Sequence, residues 1–251
     1  MAGPTTADPD VTSPGDLPFE FVDRAVYVPG AETLVVADLH LGRAAASTIE
    51  APVDDGADVR RRLESTFESV GTDFDSSPET VVVAGDLLHS FSSIPHGVER
   101  DLEALEKLVD RHGATLIVTI GNHDALLETV FDGKMNDAYR MGDEIVVAHG
   151  HECPPIDADC YVIGHDHPAL AIEGRKLPCF LYGPDAYRGS DVLMLPPFTR
   201  AAPGATVNGM SGRDFQSPLV VDADAFHPAI YDREGERLLW FPTLERSRSF
   251  L

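Results

Sequence analysis

The sequence predicts an α/β layered sandwich, and three observations carry that prediction. Short apolar, β-branched runs recur along the chain and stop abruptly at Gly, Asp, His or Asn. Stretches of helical periodicity separate the first of these runs, and strand–helix alternation of this kind builds sheets covered by helices. Hydrophobic residues make up 43% and charged residues 24% of the 251 residues, the proportions of an ordinary globular domain rather than of a disordered or fibrous chain.

Taken in order, residues 1–20 are rich in Pro, Asp and Thr and read as a flexible acidic lead-in. They lack the basic and apolar regions of a secretory leader. Residues 21–251 read as one domain. Thr33–Ala37 (TLVVA) is the first long run and ends at Asp38. A helix follows over Asp55–Val70, where Val59, Leu63, Phe67 and Val70 recur at spacings of four, four and three. Thr80–Ala84 (TVVVA) runs into Gly85 and Asp86. The second helix spans Val98–Arg111, with Leu102, Leu105 and Val109 on one face and Gly113 just past its end. Thr115–Ile120 runs into Gly121 and Asn122, and a short helix is read over Ala125–Phe131, with capping it as the alternative role for Asp124. Glu144–Ala148 ends at His149, and Cys160–Ile163 ends at Gly164 and His165. Near-continuous apolar strands of this kind are covered on both faces. Beyond them, Ala169–Ile172, Arg175–Tyr182 and Val192–Leu195 are strand-like, Pro196–Ser217 reads as a long loop, and Pro218–Asp222 and Ala229–Tyr231 read as late strands.

The charge is unusual. Asp and Glu number 42 against 19 for Lys and Arg, a net charge of −23, and only three lysines occur, at Lys107, Lys134 and Lys176. At molar salt the screening length falls to about 3 Å, so self-repulsion ceases to be costly and a carboxylate-rich surface stays hydrated. The composition therefore reads as halophilic, with an ordinary acidic cytosolic protein as the bland alternative. It offers no basic stripe for generic nucleic-acid binding, although counterion release drives little binding in high salt anyway. Three cysteines, an odd number without a CxxC pair, argue for a reducing, cytoplasmic setting and against a disulfide or zinc framework. No apolar run approaches the roughly 20 residues that span a bilayer.

The chemistry lies at the ends of the runs, the place where open α/β sheets bind ligands. They read Asp38-Leu39-His40, Gly85-Asp86, Gly121-Asn122-His123-Asp124, His149 and Gly164-His165-Asp166-His167. All the donors are oxygen or imidazole nitrogen, suited to Mn²⁺, Fe or Zn²⁺. A lone Asp-x-His arises by chance, and a lone strand-end Asp is more often a cap. Five such ends in order are not explained that way.

In this order the residues resemble the calcineurin-like metallophosphoesterases, whose pattern is DxH, GD, GNH(D/E), H and GHxH. The likeness spans residues 33–167. It implies an αββα-type sandwich with the metal site at the carboxyl ends of the strands. It also implies two divalent ions, manganese first, with iron, zinc or nickel as alternatives. One ion would be held by Asp38, His40, Asp86 and His167, the other by Asp86, Asn122, His149 and His165, with Asp86 bridging. Within the family the chain is most similar to small archaeal and bacterial phosphoesterases related to the nuclease subunit of double-strand-break repair. Ala37–Arg43 (ADLHLGR), Gly85–Ser90 (GDLLHS) and Leu195–Gly209 carry that likeness. Many members continue GDxxD, whereas here His89 stands at the last position.

Two metals polarise a phosphate and activate water, so no Ser or Cys nucleophile is required. His123 is the expected leaving-group acid, with Asp124 orienting its ring. Arg43 and His89 are candidate substrate contacts. Arg60, Arg61 and Arg62 read as a solvated helix face paired with Asp58 and Glu64. His151 reads as a neighbour of the site, Cys179 as core, and Trp240 and Phe241 as packing residues. The expected partner is a phosphoester substrate, a phosphodiester in nucleic acid first and a small nucleotide or phosphomonoester second. A metal-binding scaffold without turnover is the reading from another class.

Overall fold

The computed structural model describes residues 14–15, 17–43, 55–89 and 92–249. The acidic lead-in expected at the N-terminus lies almost wholly outside the described residues. Two sheets stack face to face. The first has six strands in sequential order, β1 (Glu20–Val22), β2 (Ala25–Val28), β3 (Thr33–Val36), β4 (Thr80–Ala84), β5 (Thr115–Thr119) and β6 (Lys134–Asn136). Strands β3 to β6 are mutually parallel, while β1 and β2 form an antiparallel hairpin at the edge. Parallel neighbours need crossovers, and helices α1 (Asp55–Phe74) and α2 (Val98–Arg111) supply the first two, while the link from β5 to β6 holds a single 3-10 turn.

The second sheet has seven strands. From one edge they are β16 (Arg237–Trp240), β15 (His227–Asp232), β12 (Phe180–Tyr187), β13 (Ser190–Met194), β9 (Cys160–Ile163), β8 (Ile145–Ala148) and β7 (Ala138–Met141). Its fourth to sixth strands, β13, β9 and β8, are parallel. A small third sheet orders β11 (Arg175–Pro178), β10 (Pro168–Ile172) and β14 (Ala205–Thr206).

Strand alternation divides the apolar residues among three layers of core. Val36, Val81, Val83 and Val118 of the first sheet pack against Val59, Leu63 and Phe67 of α1 and Leu102 and Leu105 of α2. Their neighbours Val35, Val82 and Ile117 face Val147, Val162 and Leu193 across the sandwich. The outer face of the second sheet, with Tyr161, Ile163 and Met194, is covered by Val207, Leu219, Phe226 and Leu244. The layered α/β prediction holds, and the fourth layer is turns, short 3-10 segments and one four-residue helix, α3 (Leu244–Ser247).

Three local expectations are corrected. The helix over Ala125–Phe131 is one 3-10 turn, Leu127–Thr129, because Asp124 holds loop amides and β6 begins at Lys134, leaving space for a single turn. Pro218–Asp222 is a turn rather than a strand. Asp166 pins the amides of Gln216 and Ser217, and β16 and β7 already form the sheet edges. The Arg175–Tyr182 run divides into β11 and β12 at Cys179, which is buried as expected.

Candidate metal centre

Five parallel strands, β3, β4, β5, β8 and β9, deliver the donors at their carboxyl ends. The backbone there is bent hard. Asp38, His40, Asp86, His165 and His167 all have positive φ, between 48° and 77°. The left-handed region is unfavourable for side chains with a Cβ, and such strain clusters at functional sites. Glycines make the space. A Cβ on Gly85 would lie 2.2 Å from His149 Nδ1, one on Gly121 2.2 Å from Asp86 Oδ1, and one on Gly164 2.7 Å from Asp38 Oδ2. Of the three, only Gly85 has a positive φ. The other two are needed for close approach rather than for a turn conformation.

The side chains converge in two overlapping groups. Single ligand atoms of Asp38, His40, Asp86 and His167 all lie within 4.8 Å of one another. His40 Nε2 is 3.0 Å from His167 Nε2 and 3.8 Å from Asp86 Oδ2, while His167 Nε2 is 3.3 Å from Asp38 Oδ1. In the second group, His149 Nε2 lies 3.0 Å from Asn122 Oδ1, 3.0 Å from His165 Nδ1 and 3.5 Å from Asp86 Oδ1. Asp86 thus belongs to both.

Tautomers decide what such a cluster wants. A carbonyl oxygen only accepts, so His149 Nδ1, 3.1 Å from Ala84 O, carries the proton. Burial holds the imidazole neutral, with its pKa lowered to about 3. Its Nε2 is therefore a bare lone pair, and it faces Asn122 Oδ1 and Asp86 Oδ1, both acceptors. His40 repeats the arrangement, with Nδ1 3.3 Å from Leu88 O and Nε2 aimed at the cluster. Burial lowers its pKa to about 3 as well. Backbone carbonyls that fix a ring in this way are the usual partners of metal-binding histidines. The His149 nitrogen facing two oxygens calls for a cation between them, and the donor set fits a divalent metal.

The carboxylates tell the same story. Burial and the adjacent Asp38 push the Asp86 carboxyl well above its ordinary range. Asp38 is wholly buried, yet His167, bonded to it, and His149 and His40 hold it in the ionised range. Although burial opposes its charge, His167 is raised by Asp38.

His123 and Asp124 are placed differently from expectation. The Asp124 oxygens accept the amides of Leu88 and Gly121, both at 2.9 Å. The residue is buried and clamps the β4 turn to the β5 turn. The His123 ring instead takes its orientation from the His89 carbonyl, 2.9 Å from Nδ1. Its Nε2 lies 3.9 Å from Asp86 Oδ2, and burial lowers its pKa. The expected role of Asp124 as orienter of the ring is corrected, because both carboxylate oxygens are committed to backbone amides. His89 stacks on His123 with ring centres 5.5 Å apart and meets His40 edge-on at 5.3 Å. The third position after Asp86 therefore lines the site, with a ligand atom near those of His40 and His123. Arg43 is half-buried behind the first turn and within electrostatic reach of His89. His151 flanks His149 at 5.2 Å between rings and lines a cavity of about 250 Å³ beside it.

Sequence reasoning passes over Asp166, which ties the outer layer to the site through the amides of Gln216 and Ser217. Its position inside the Gly164–His167 motif is the available signal. The arginine run of α1 is also corrected. Only Arg61 fits the solvated-face picture, 3.6 Å from Asp58, whereas Arg60 bonds Asp101 and Arg62 is buried against Asp23. Phe198 explains the burial, since the Arg62 guanidinium lies over its ring at 5.6 Å.

Comparison with known proteins agrees with this geometry. A sequence model described as calcineurin-like phosphoesterase matches residues 32–159. No curated protein matches the chain in sequence. Among solved structures, a crystal structure of the nuclease MPE of Pseudomonas putida is similar, with a TM-score of 0.57 and 23% identity. The likeness covers 87% of this chain and 92% of that one, and at this identity it speaks to the fold. With half of its length matched and the donors gathered at the strand ends, the chain belongs to the calcineurin-like phosphoesterase family, and it is a hydrolase of phosphoester bonds.

Proposed function

We propose that the protein is a two-metal phosphodiesterase acting on nucleic acid, in which Asp38, His40, Asp86 and His167 hold one ion. Asp86, Asn122, His149 and His165 hold the other. One observation carries the reading: three acceptors, His149 Nε2, Asn122 Oδ1 and Asp86 Oδ1, converge in a buried space. When bound, divalent ions supply charge neutralisation of the phosphoryl group and a water activated near neutral pH. The donors are oxygen and nitrogen without thiol, which suits manganese.

The chain's own residues do the rest. Because His123 Nδ1 donates to the His89 carbonyl, the Nε2 edge is left to the reacting side. An incoming phosphate anion favours the imidazolium, which then donates its Nε2 proton to the leaving oxygen. Asp124 keeps that loop in register through the amides of Leu88 and Gly121. Arg43 and the ring of His89 contact the non-bridging phosphate oxygens. The nuclease named among the similar structures and the sequence likeness to repair phosphoesterases support a diester in nucleic acid. The composition supports a cytoplasm of high salt, a reading that equal stability in dilute buffer and molar KCl would refute. No helix among the described residues is long and apolar enough to cross a membrane.

The test is hydrolysis of bis-p-nitrophenyl phosphate against p-nitrophenyl phosphate in molar KCl with Mn²⁺, with Asp86→Ala as control. Diester cleavage that vanishes in the control is expected. Cleavage of the monoester alone would make the protein a phosphatase, and metal binding without either activity would make it a scaffold.

A further inference from the structure

A second concentration of charge lies on the same edge of the sandwich. A cavity of about 210 Å³ is lined by Arg24, Arg62, Arg200 and Arg233, with Asp23 the one acid among its lining residues. In a chain with 19 basic residues against 42 acidic ones, four guanidiniums around one small cavity run against the composition.

Their bonds leave positive charge over. Asp23 is shared, bonded to Arg62 and 3.5 Å from Arg233 Nε. Among the described residues Arg200 pairs only with Asp58, at 3.9 Å, and Asp58 also serves Arg61. Arg24 spends one nitrogen on the carbonyls of Pro197 and Thr199, at 2.9 and 2.8 Å. The Arg62 side chain is 4% exposed, and its Nε is buried with no hydrogen-bond partner. A buried guanidinium N–H without an acceptor costs free energy that an anion would recover. Burial first, and then the nearness of Arg62 and Arg200, lowers the Arg24 pKa to about 10.

Position links this cleft to the metal centre. The β2–β3 register pairs Val26 with Val35, which carries Arg24 opposite Ala37, the residue before Asp38. Phe198, between the two carbonyls that Arg24 holds, donates its amide to Ala37 O at 2.8 Å. Arg24 and the 197–199 loop thereby tie the cleft to the strand end that precedes Asp38.

We propose that this arginine cleft receives a backbone phosphate of a nucleic-acid strand whose scissile diester lies at the metal centre. The assignment rests on the phosphodiesterase reading. Arg62 and Arg24 form the fixed floor, and the half-exposed Arg200 and Arg233 close on the phosphate from the rim. The loop after β13 then has a function, since Pro197–Thr199 join the cleft to the strand end that carries Asp38.

The experiment compares wild type, Arg200→Gln/Arg233→Gln and Arg111→Gln/Arg188→Gln. The last removes two exposed arginines that do not line the cleft, and all three are checked for fold by circular dichroism. Binding of fluorescein-labelled oligothymidylate to chelator-stripped protein is measured by anisotropy over a range of KCl, with inorganic phosphate as competitor. The cleft variant is expected to bind roughly tenfold more weakly, and its salt slope to fall by roughly 0.7 for each arginine–phosphate pairing removed. The control variant keeps the wild-type slope. With Mn²⁺, the oligonucleotide-to-bis-p-nitrophenyl phosphate ratio of kcat/KM falls in the cleft variant alone. Equal affinity in wild type and cleft variant overturns the proposal, as does an equal loss in both variants. If phosphate binding is lost in the cleft variant while oligothymidylate affinity is unchanged, the cleft serves free phosphate and the substrate assignment falls. If oligothymidylate binds through the cleft but the Mn²⁺-loaded protein cuts no diester, the phosphodiesterase reading fails and the cleft stands.

Discussion

Along the carboxyl edge of the two sheets, the rim around Asp86 and the cleft around Arg62 both bury charge, with opposite signs and by different means. The rim buries two carboxylates among imidazoles, of which His40 and His149 are held neutral by burial, on backbone at positive φ with glycines that leave room for close approach. The cleft buries guanidiniums on ordinary elements, namely a hairpin turn, the middle of α1 and a loop. Each charge set is unfavourable alone, since an uncompensated buried charge costs several kcal/mol. The difference lies in what balances it. The cleft keeps an internal counterion, Asp23, whereas in the rim the one imidazole whose pKa is raised, His167, is committed to Asp38, and the His123 ring facing Asp86 has its charge disfavoured by burial. The rim is thus built around its ligand, and the cleft is a structural pair with charge to spare.

The largest test of that contrast is Asp86→Asn. The amide can still accept from His123 N, as Asp86 Oδ1 does at 2.9 Å, but the charge shared by both groups of donors is gone. Activity is expected to fall about 10³-fold or more, the several kcal/mol that metal assistance supplies, with loss of metal by elemental analysis. In chelator the same variant should melt higher than wild type near neutral pH, because the wild-type carboxyl, raised by burial and by Asp38, must take up a proton on folding and the amide need not. A lower melting temperature in chelator would mean that the rim stores no repulsion. His123→Ala comes next. Turnover should drop between about 10² and 10⁴-fold, the span of general acid catalysis, while metal content stays at the wild-type level. Metal loss equal to that of Asp86→Asn would move His123 among the metal-holding side chains.

The rim is legible in the sequence and the cleft is not, for a physical reason. Asp38 and His149 follow an apolar run directly, and Asp86, Asn122 and His165 follow one after a single glycine, so one-dimensional order maps onto one edge of the sandwich. Arg24, Arg62, Arg200 and Arg233 come from four unrelated elements, and only tertiary packing brings them together. Arg62 is instructive, because its neighbours Arg60 and Arg61 make the run look like a solvated face. The decisive partner, Phe198, is 136 residues away in sequence. Asp124 misleads for a related reason: adjacency to His123 suggests a contact, whereas successive residues in a turn point apart. The parallel strands are readable from their apolar runs. The edge hairpin β1–β2, the short β6 and β7, and the irregular fourth layer are not, since half-buried edges and turns carry weak periodicity.

The cleft side of the comparison is tested by Arg62→Met, which keeps the bulk against Phe198 and removes the charge. Breaking a largely buried pair by deleting one partner leaves the other uncompensated, so urea unfolding should show a loss of about 3 kcal/mol. Arg233, at 3.5 Å from Asp23, offsets part of the loss. A variant as stable as wild type would show that Asp23 and Arg62 are held together by the fold rather than holding it.

Asp124→Asn gives the smallest effect and separates a structural carboxylate from the functional ones. One of the two amides it accepts, Leu88 or Gly121, loses its acceptor, at a cost of about 1–3 kcal/mol. The pH dependence has a definite sign. Burial, only partly offset by the amides of Leu88 and Gly121, raises the Asp124 pKa from 3.8 to about 6. Between those values the folded state keeps a proton that the unfolded state has lost, so the wild type's contribution from this group declines as pH rises from about 4 to about 6. The asparagine does not titrate. The stability gap between wild type and variant, read in chelator so that metal affinity does not enter, should therefore narrow across that window and stay level above it. A gap that widens with pH would mean that the amides stabilise the ionised carboxylate more than burial opposes it. In that case Asp124 would belong with Asp38, as an acid held ionised, and not with Asp86.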